Sequence, residues 1–304
     1  MRGTRLVESV PNVSEGRDRS AIEAMAGAMQ EVPGVRLLDI QSDPDHHRTV
    51  FTLVGDPDSV AEAILRLFAA AVPRIDLRLH RGEHPRMGAV DVVPFVPVRG
   101  VTMADCVALA RRVGHEVWKR FRIPVYLYEE AASRPERRDL AEIRRGEFEG
   151  FAEKIRAEAW APDFGERAVH PTAGVAAVGA REFLIAFNVN LGTADLQVAK
   201  AVAKAVRGSS GGLRYVKALG VALEDRGIVQ VSMNLTNYKQ TPLARTLELV
   251  RLEAARHGVP VVGTEIVGLV PEDALVQAAA HYLCLERFSS DLILERRLDS
   301  IPSD

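Results

Sequence analysis

The sequence predicts an α+β fold made of two tandem ferredoxin-like (β-α-β-β-α-β) subdomains related by duplication, over residues 1–179 and 180–304. Three observations lead there. Apolar residues switch between period two and period 3.6 in the same order in each half. The motif Asn12-Val13-x-x-Gly16 recurs as Asn188-Val189-x-x-Gly192, each time between a first strand and a first helix. At 304 residues the chain can bury two sizeable cores.

In the first half, residues 6–13 are apolar and β-prone. A helix follows, with Ser20 and Glu23 as a capping box and Ile22, Met25, Ala26 and Met29 on one face. Pro33-Gly34 stops it. Residues 35–40 and 48–54 read as a hairpin around a turn cluster at 42–45. Gly55-Asp56-Pro57-Asp58 opens the next helix, capped by Ser59 and Glu62, with Val60, Ile64, Leu67, Phe68 and Ala71 as its stripe. Residues 80–99 then bring two histidines, Glu83, two arginines and Asp91 among glycines and prolines. Gly82 and Pro85 make the start of that stretch a loop. Pro94 and Pro97 predict that the following strand, 90–98, lies near a sheet edge. A helix over 102–120 and a short strand over 124–128 come next. The Arg- and Glu-rich run 131–160 reads as a solvated helical excursion, and 161–179 as a Gly/Pro loop at a domain boundary.

The second half repeats the order. Residues 183–189 form a strand, Val198, Ala201, Val202 and Ala205 a helix face, and 216–223 a strand. From 229 to 235 apolar and polar residues alternate strictly, giving a strand with one wet face. Thr241-Pro242 caps a helix that ends at His257-Gly258. Residues 259–267 close the unit, and 271–282 add a helix.

Composition excludes several classes of function. A net charge of −2 argues against a nucleic-acid or membrane-surface partner. RNA-recognition modules of the same element order need aromatics on their central strands, where this chain offers Phe51 alone. Apolar runs fall short of the roughly 18 residues of a membrane span. The N-terminus leads straight into a strand pattern, so no signal peptide is expected. Cys106 and Cys284 sit in apolar helical patterns and read as reduced core thiols, which fits the cytoplasm.

His80 and His84 have the spacing of a helical zinc pair, but Gly82 and Pro85 break the helix that would align them, and no metal is expected. Gly208-Ser-Ser-Gly-Gly212 matches neither nucleotide-loop spacing and reads as a connection that could close over a ligand. Acid–base chemistry by a histidine remains. His84 lies between Glu83, which can orient an imidazole, and Pro85-Arg86, whose guanidinium can hold an anion.

These residues, read together, resemble the glutamate formimidoyltransferase family. The likeness rests on Val10-Pro-Asn-Val-Ser-Glu-Gly16, Arg48-Thr49-Val50, Gly82-Glu-His-Pro-Arg-Met-Gly-Ala89 with Asp91, Pro124-Val-Tyr-Leu-Tyr128, Trp160-Ala-Pro-Asp-Phe-Gly165, Phe183-Leu-Ile-Ala-Phe-Asn188 and Gly268-Leu-Val-Pro271. The resemblance implies transfer of the formimino group from N-formimino-L-glutamate to N5 of tetrahydrofolate, a step of histidine breakdown, with folate held between two ferredoxin-like subdomains. It places the catalytic histidine on His84. It places folate contacts on Gly165, Glu166, Arg167, Ala168, Val169, His170, Pro171, Thr172, Ala173 and Gly174. A second folate segment is Gly211, Gly212, Leu213, Arg214, Tyr215, Val216, Lys217, Ala218, Leu219 and Gly220. His47 stands where animal members carry Asn. A homodimer is implied, and a separate cyclodeaminase is expected to take the product. Tetrahydrofolate is the cosubstrate, and no metal is needed.

Within that frame Arg48, Arg86, Arg214 and Lys217 are candidates for the carboxylates of glutamate and of the folate tail. Asn12 and Asn188 bond the pterin or the formimino group, or else cap the helices that follow them. Two alternatives stay open: a formyltransferase acting on N-formylglutamate or 5-formyltetrahydrofolate, and a folate-binding protein without turnover.

Overall fold

Pro11 has no N–H to give a sheet, and the first strand breaks there. The computed structural model describes residues 5–82 and 85–299. In it, β1 (Leu6–Ser9) and β2 (Asn12–Val13) form one line, interrupted at Val10-Pro11, that pairs with the same two neighbours on both sides of the break. Those neighbours are β4 (Arg48–Gly55) and β5 (Val90–Arg99). β3 (Arg36–Asp43) pairs with the outer side of β4. Helices α1 (Arg19–Gln30) and α2 (Pro57–Ala71) connect these strands and pack on one face of the sheet. Their caps differ from the expectation. Asp18 and Asp56, not Ser20 and Ser59, accept the first free amides. An aspartate upstream at each start competes for the helix's first N–H groups and moves the cap two residues earlier in α1 and three in α2.

The strand β5 corrects a second expectation: it is central. Beyond it lie β7 (Ala176–Ala180) and β6 (Val125–Glu129), both parallel to their neighbours, with α3 (Met103–Phe121) covering them. Pro94 and Pro97 are tolerated at its centre because the pairing is irregular, and the Ser9 hydroxyl takes the Pro94 carbonyl at 2.7 Å. Strand β7 falls inside the stretch read as a Gly/Pro loop. Its Ala-Ala-Val-Gly-Ala run is buried on both faces, so it lacks the period-two signal of a half-wet strand.

Residues 131–160 are not a solvated excursion. They contain α4 (Leu140–Arg144) and α5 (Glu147–Lys154), whose Ile143 and Phe151, with Ile155, pack on the sheet face opposite α1–α3. There they meet Val92, Tyr126, Tyr128 and Ala177. Arg137, 1% exposed, bonds the Asp163 carboxylate at 2.6 Å and lies over the Tyr126 ring. The charge pattern of the segment hides three apolar anchors spaced wider than one helix.

A second compact unit begins at Phe183. It consists of β8 (Ile185–Leu191), α6 (Leu196–Val206), β9 (Val216–Leu223), β10 (Ile228–Leu235), α7 (Leu243–Ala255), β11 (Val261–Val267) and α8 (Glu272–Tyr282). The strands run antiparallel in the order β11-β8-β10-β9. Phe187, Val189, Leu191, Val229, Val231 and Met233 face the helices, while Asn188, Asn190, Gln230, Ser232 and Asn234 occupy the other face by alternation. Pro242 precedes α7 without a side-chain cap. Cys106 is buried, as expected, but Cys284 is exposed just past α8. The molecule is thus a mixed α+β protein with two sheets.

Candidate active site

The stretch that leaves the histidine loop is stapled from three sides. Asp91, 1% exposed, accepts the Met87 and Gly88 amides through Oδ1 at 2.7 and 3.1 Å. Its other oxygen takes Arg144 at 2.6 and 2.8 Å. Ser14 donates its hydroxyl to the Gly88 carbonyl at 2.8 Å and its amide to Ala89 at 2.9 Å. On the third side run residues 173–175: Ala89 N–H bonds the Ala173 carbonyl and Val175 N–H the Met87 carbonyl, both at 2.9 Å. This approach demands glycine twice. A Cβ on Gly88 would lie 2.0 Å from the Val175 oxygen, and one on Gly174, where φ is +69°, would lie 2.1 Å from the Met87 oxygen. Ala173 and Gly174, at the end of the 165–174 segment, therefore lie directly against the exit of the loop that holds His84. His84 itself, with Glu83, lies outside the described residues.

Within 165–174, Gly165, Glu166, Arg167, Ala168 and Pro171 are exposed, and Arg167 pairs with Glu158. Val169, half-buried, packs against the apolar cluster that contains Tyr126 and Phe151. His170 turns its Nδ1 inward to accept the Ala173 amide at 3.0 Å. Burial lowers its pKa, in keeping with a neutral ring.

The base of the histidine loop is closed by its own residues. His80 is 4% exposed and donates Nε2–H to the His47 carbonyl at 2.8 Å, while its Nδ1 accepts Arg86 Nε–H at 3.1 Å. Its ring stacks on His47, with centroids 4.1 Å apart and 9° between planes. His47, at φ +52°, places Nδ1 against the Arg81 carbonyl and Nε2 against Glu15. Burial, then the His47 and Arg86 charges, hold the His80 pKa below its ordinary value, against opposing pulls from the His47 carbonyl and Glu15. For Arg86 the expected role does not hold. Its two terminal nitrogens grip Glu149 at 2.7 Å each, Nη1 also meets Glu147 at 3.2 Å, and Nε is spent on His80. A guanidinium so engaged and buried has no free edge for a substrate carboxylate; it clamps the loop to α5 instead.

Arg48 is half-buried at the start of β4. Burial first, then the Arg144 charge, lower its pKa, and Asp43 and Asp91 oppose them. Asn12 shares that face and bonds the Val10 carbonyl at 3.2 Å. Neither it nor Asn188 caps a helix; Asp18 and Asp195 do. A bulge in β3 between Leu37 and Asp39 adds Asp39, Gln41 and Asp43 opposite Thr52, Val50 and Arg48. Sequence reasoning missed these. The broken alternation at Leu37-Leu38 is the signal that could have found them. Glu8, 4% exposed on β1, was missed as well. Burial raises its carboxyl pKa to about 7 despite Arg181, and its Oε2 has no hydrogen-bond partner among the described residues.

In the second unit, Asn188 Nδ2 reaches Glu265 at 3.4 Å, and Gln230 donates to Asn190 at 2.9 Å. Gly211 and Gly212 end the turn after α6; Leu213 is half-buried, and Arg214, exposed, lies over the Tyr215 ring. Val216 and Ala218 enter the core from β9, while Lys217 and Leu219 point to the other face, beside Gly220. Among the described residues no group of three or more His, Cys, Asp or Glu side chains is placed to hold a metal ion, and no helix is long and apolar enough to cross a membrane.

Comparison with known proteins adds an independent line. The chain is 50% identical over 295 residues to a glutamate formimidoyltransferase of Streptococcus pyogenes, covering 97% of this chain and 99% of that one. It is 51% identical to a glutamate formimidoyltransferase of Thermoplasma acidophilum, with 97% of each covered. It is 44% identical to the formimidoyltransferase-cyclodeaminase of Rattus norvegicus, of which it spans 53%. Residues 6–181 match the N-terminal subdomain of the formiminotransferase domain, and residues 186–297 match the formiminotransferase domain. The chain belongs to the formiminotransferase family.

Proposed function

We propose that this protein is a glutamate formimidoyltransferase that moves the formimino group from N-formimino-L-glutamate to N5 of tetrahydrofolate. The observation that carries the reading is the packing of Ala173 and Gly174, at the end of the 165–174 segment, against the exit of the histidine loop, in a chain similar along its length to enzymes of that name. The two units are ferredoxin-like duplicates, each supplying one folate segment, 165–174 and 211–220.

The chemistry suits the residues. The formimino carbon belongs to an amidine, already electrophilic when protonated, so no oxyanion hole is demanded. What the protein must supply is proton movement and alignment. His84, neutral at the start, takes the proton that the attacking amine sheds and returns it to the departing glutamate nitrogen. Arg48 in the first unit, with Arg214 and Lys217 in the second, offers charge to the carboxylates of glutamate and of the folate tail. Asn12 and Asn188 offer neutral donors and acceptors to the pterin.

One assay decides between readings. The protein is incubated with tetrahydrofolate and, in parallel, N-formimino-L-glutamate or N-formylglutamate. Glutamate released one for one with a 5-formimino folate is the expected result. Turnover with the formyl donor alone would make it a formyltransferase, and saturable folate binding with no product from either would make it a binding protein.

A further inference from the structure

We infer that His80 is a positioning residue of the transfer reaction: its neutral ring ties Arg86 to the backbone at His47 and so fixes residues 80–82 and 86, on either side of His84 in sequence. The inference rests on the proposed function, since it needs His84 to be the residue that moves the proton. Four features of the structure point to it. Both His80 nitrogens are used, one as donor to His47 O at 2.8 Å and one as acceptor from Arg86 at 3.1 Å. That pairing admits a single protonation state, Nε2–H with Nδ1 bare, because a proton on Nδ1 would face the guanidinium N–H. The ring is also held in plane by its stack on His47. Finally, the backbone closes tightly beside it: a Cβ on Gly82 would lie 2.5 Å from the His46 oxygen, so residues 80–82 press against 46–47.

The groups around the ring set the sign of any pH effect. Arg86 faces Nδ1 directly, with Glu147 and Glu149 behind it on α5. His47 lies across the stack, with Glu15 on its far side. Arg81 bonds the His80 carbonyl at 2.6 Å. Burial first, with the Arg86 guanidinium at Nδ1 and the His47 ring across the stack, disfavours a second proton on the ring, and Glu15 opposes them. Acid breaks the clasp by forcing a proton onto Nδ1.

The test uses the full-length protein. Nitrogen-15 spectra of ring-labelled histidine should show His80 as the Nε2–H tautomer at pH 7 and above; a Nδ1–H or doubly protonated ring at pH 7 overturns the inference. His80→Ala should lower kcat by about 10–100-fold, the scale of a misaligned reacting group, with KM for both substrates within threefold. His80→Gln, whose amide offers one donor and one acceptor, should regain most of that loss and show a shallower fall of kcat on the acid side. An acid limb in His80→Gln identical to that of the parent also overturns it, and does so even where the alanine variant fails to fold. Unchanged kcat in His80→Ala beside an inactive His84→Ala removes His80 alone. Absence of transfer by the parent protein removes the underlying reading instead.

Discussion

The two sheets differ in size, seven strands against four, and in what lies on the face away from their helices. In the first unit that face carries its own apolar cluster, where Ile143, Phe151 and Ile155 of the 131–160 segment meet Val92, Tyr126 and Tyr128. The same segment delivers Arg144 to Asp91, and Glu147 and Glu149 to Arg86. Among the described residues of the second unit the apolar cluster lies on one side, and the other face carries the amides and hydroxyl of Asn188, Asn190, Gln230, Ser232 and Asn234 beside exposed Leu219 and Val221 on β9. Two sheets of one chain thus carry different chemistry on the face away from their helices. The first sheet is braced, and a braced sheet can hold a reactive loop at a fixed place. The second presents polar groups suited to holding a ligand.

The sharpest way to break that contrast is to remove the proposed catalytic group. His84→Ala is expected to lower kcat by about 10²–10⁴ while folate still binds. Stopped assays for turnover and fluorescence titration for binding check both halves. Turnover like that of the parent would remove His84 from the mechanism.

Next in size is the brace. Asp91→Ala leaves Arg144 without its partner and releases the Met87 and Gly88 amides. Removing one member of so buried a pair is expected to cost about 3–5 kcal/mol, read from urea unfolding. A loss below about 1 kcal/mol would mean that 131–160 merely covers the sheet.

Much of this was legible in the sequence, and the failures have physical causes. The apolar stripes of α1, α2, α3 and α7 and the alternation of β10 announce themselves because one side of each is wet. Strand β7 does not, since burial on both faces erases alternation. Pro94 and Pro97 signalled an edge because proline removes a ladder bond, yet the Ser9 hydroxyl and an irregular register accommodate β5 at the centre. The run 131–160 reads as surface because its charges are numerous; those of Arg137 and Arg144 are neutralised inside by Asp163 and Asp91, partners far away in sequence. For the site, the Gly-Glu-His-Pro-Arg-Met-Gly stretch stood out, but the use of Arg86 did not. An arginine beside a histidine suggests substrate charge, and only the fold reveals the two glutamates that occupy it.

A third effect concerns pH. Glu8 has a pKa of about 7 in the folded protein against 4.5 for a free carboxyl, with burial as the main cause. Between those values the folded state keeps a proton that the unfolded chain has lost. Stability therefore falls as pH rises from about 4.5 to 7, by on the order of 3 kcal/mol in all. Glu8→Gln preserves the shape without the charge. It should match the parent at pH 4 and exceed it by about that amount at pH 8, in urea midpoints taken at both. Equal midpoints at pH 8 would mean the Glu8 carboxylate finds compensation in solution.

The smallest effect is expected where the second sheet is least braced. The contact from Asn188 to Glu265 is long, at 3.4 Å, and links two side chains of the polar face without reaching an apolar cluster. Deleting it by Asn188→Ala should cost about 1 kcal/mol or less. The change belongs instead in ligand affinity: KM for tetrahydrofolate should rise about threefold or more with kcat unchanged, the pattern of an interaction made equally in ground and transition states. A stability loss near that of Asp91→Ala would show that the polar face of the second sheet holds the fold together as much as the brace on the first does. A drop in kcat at constant KM would place Asn188 in the chemistry, and the division between a unit that reacts and a unit that holds would fail.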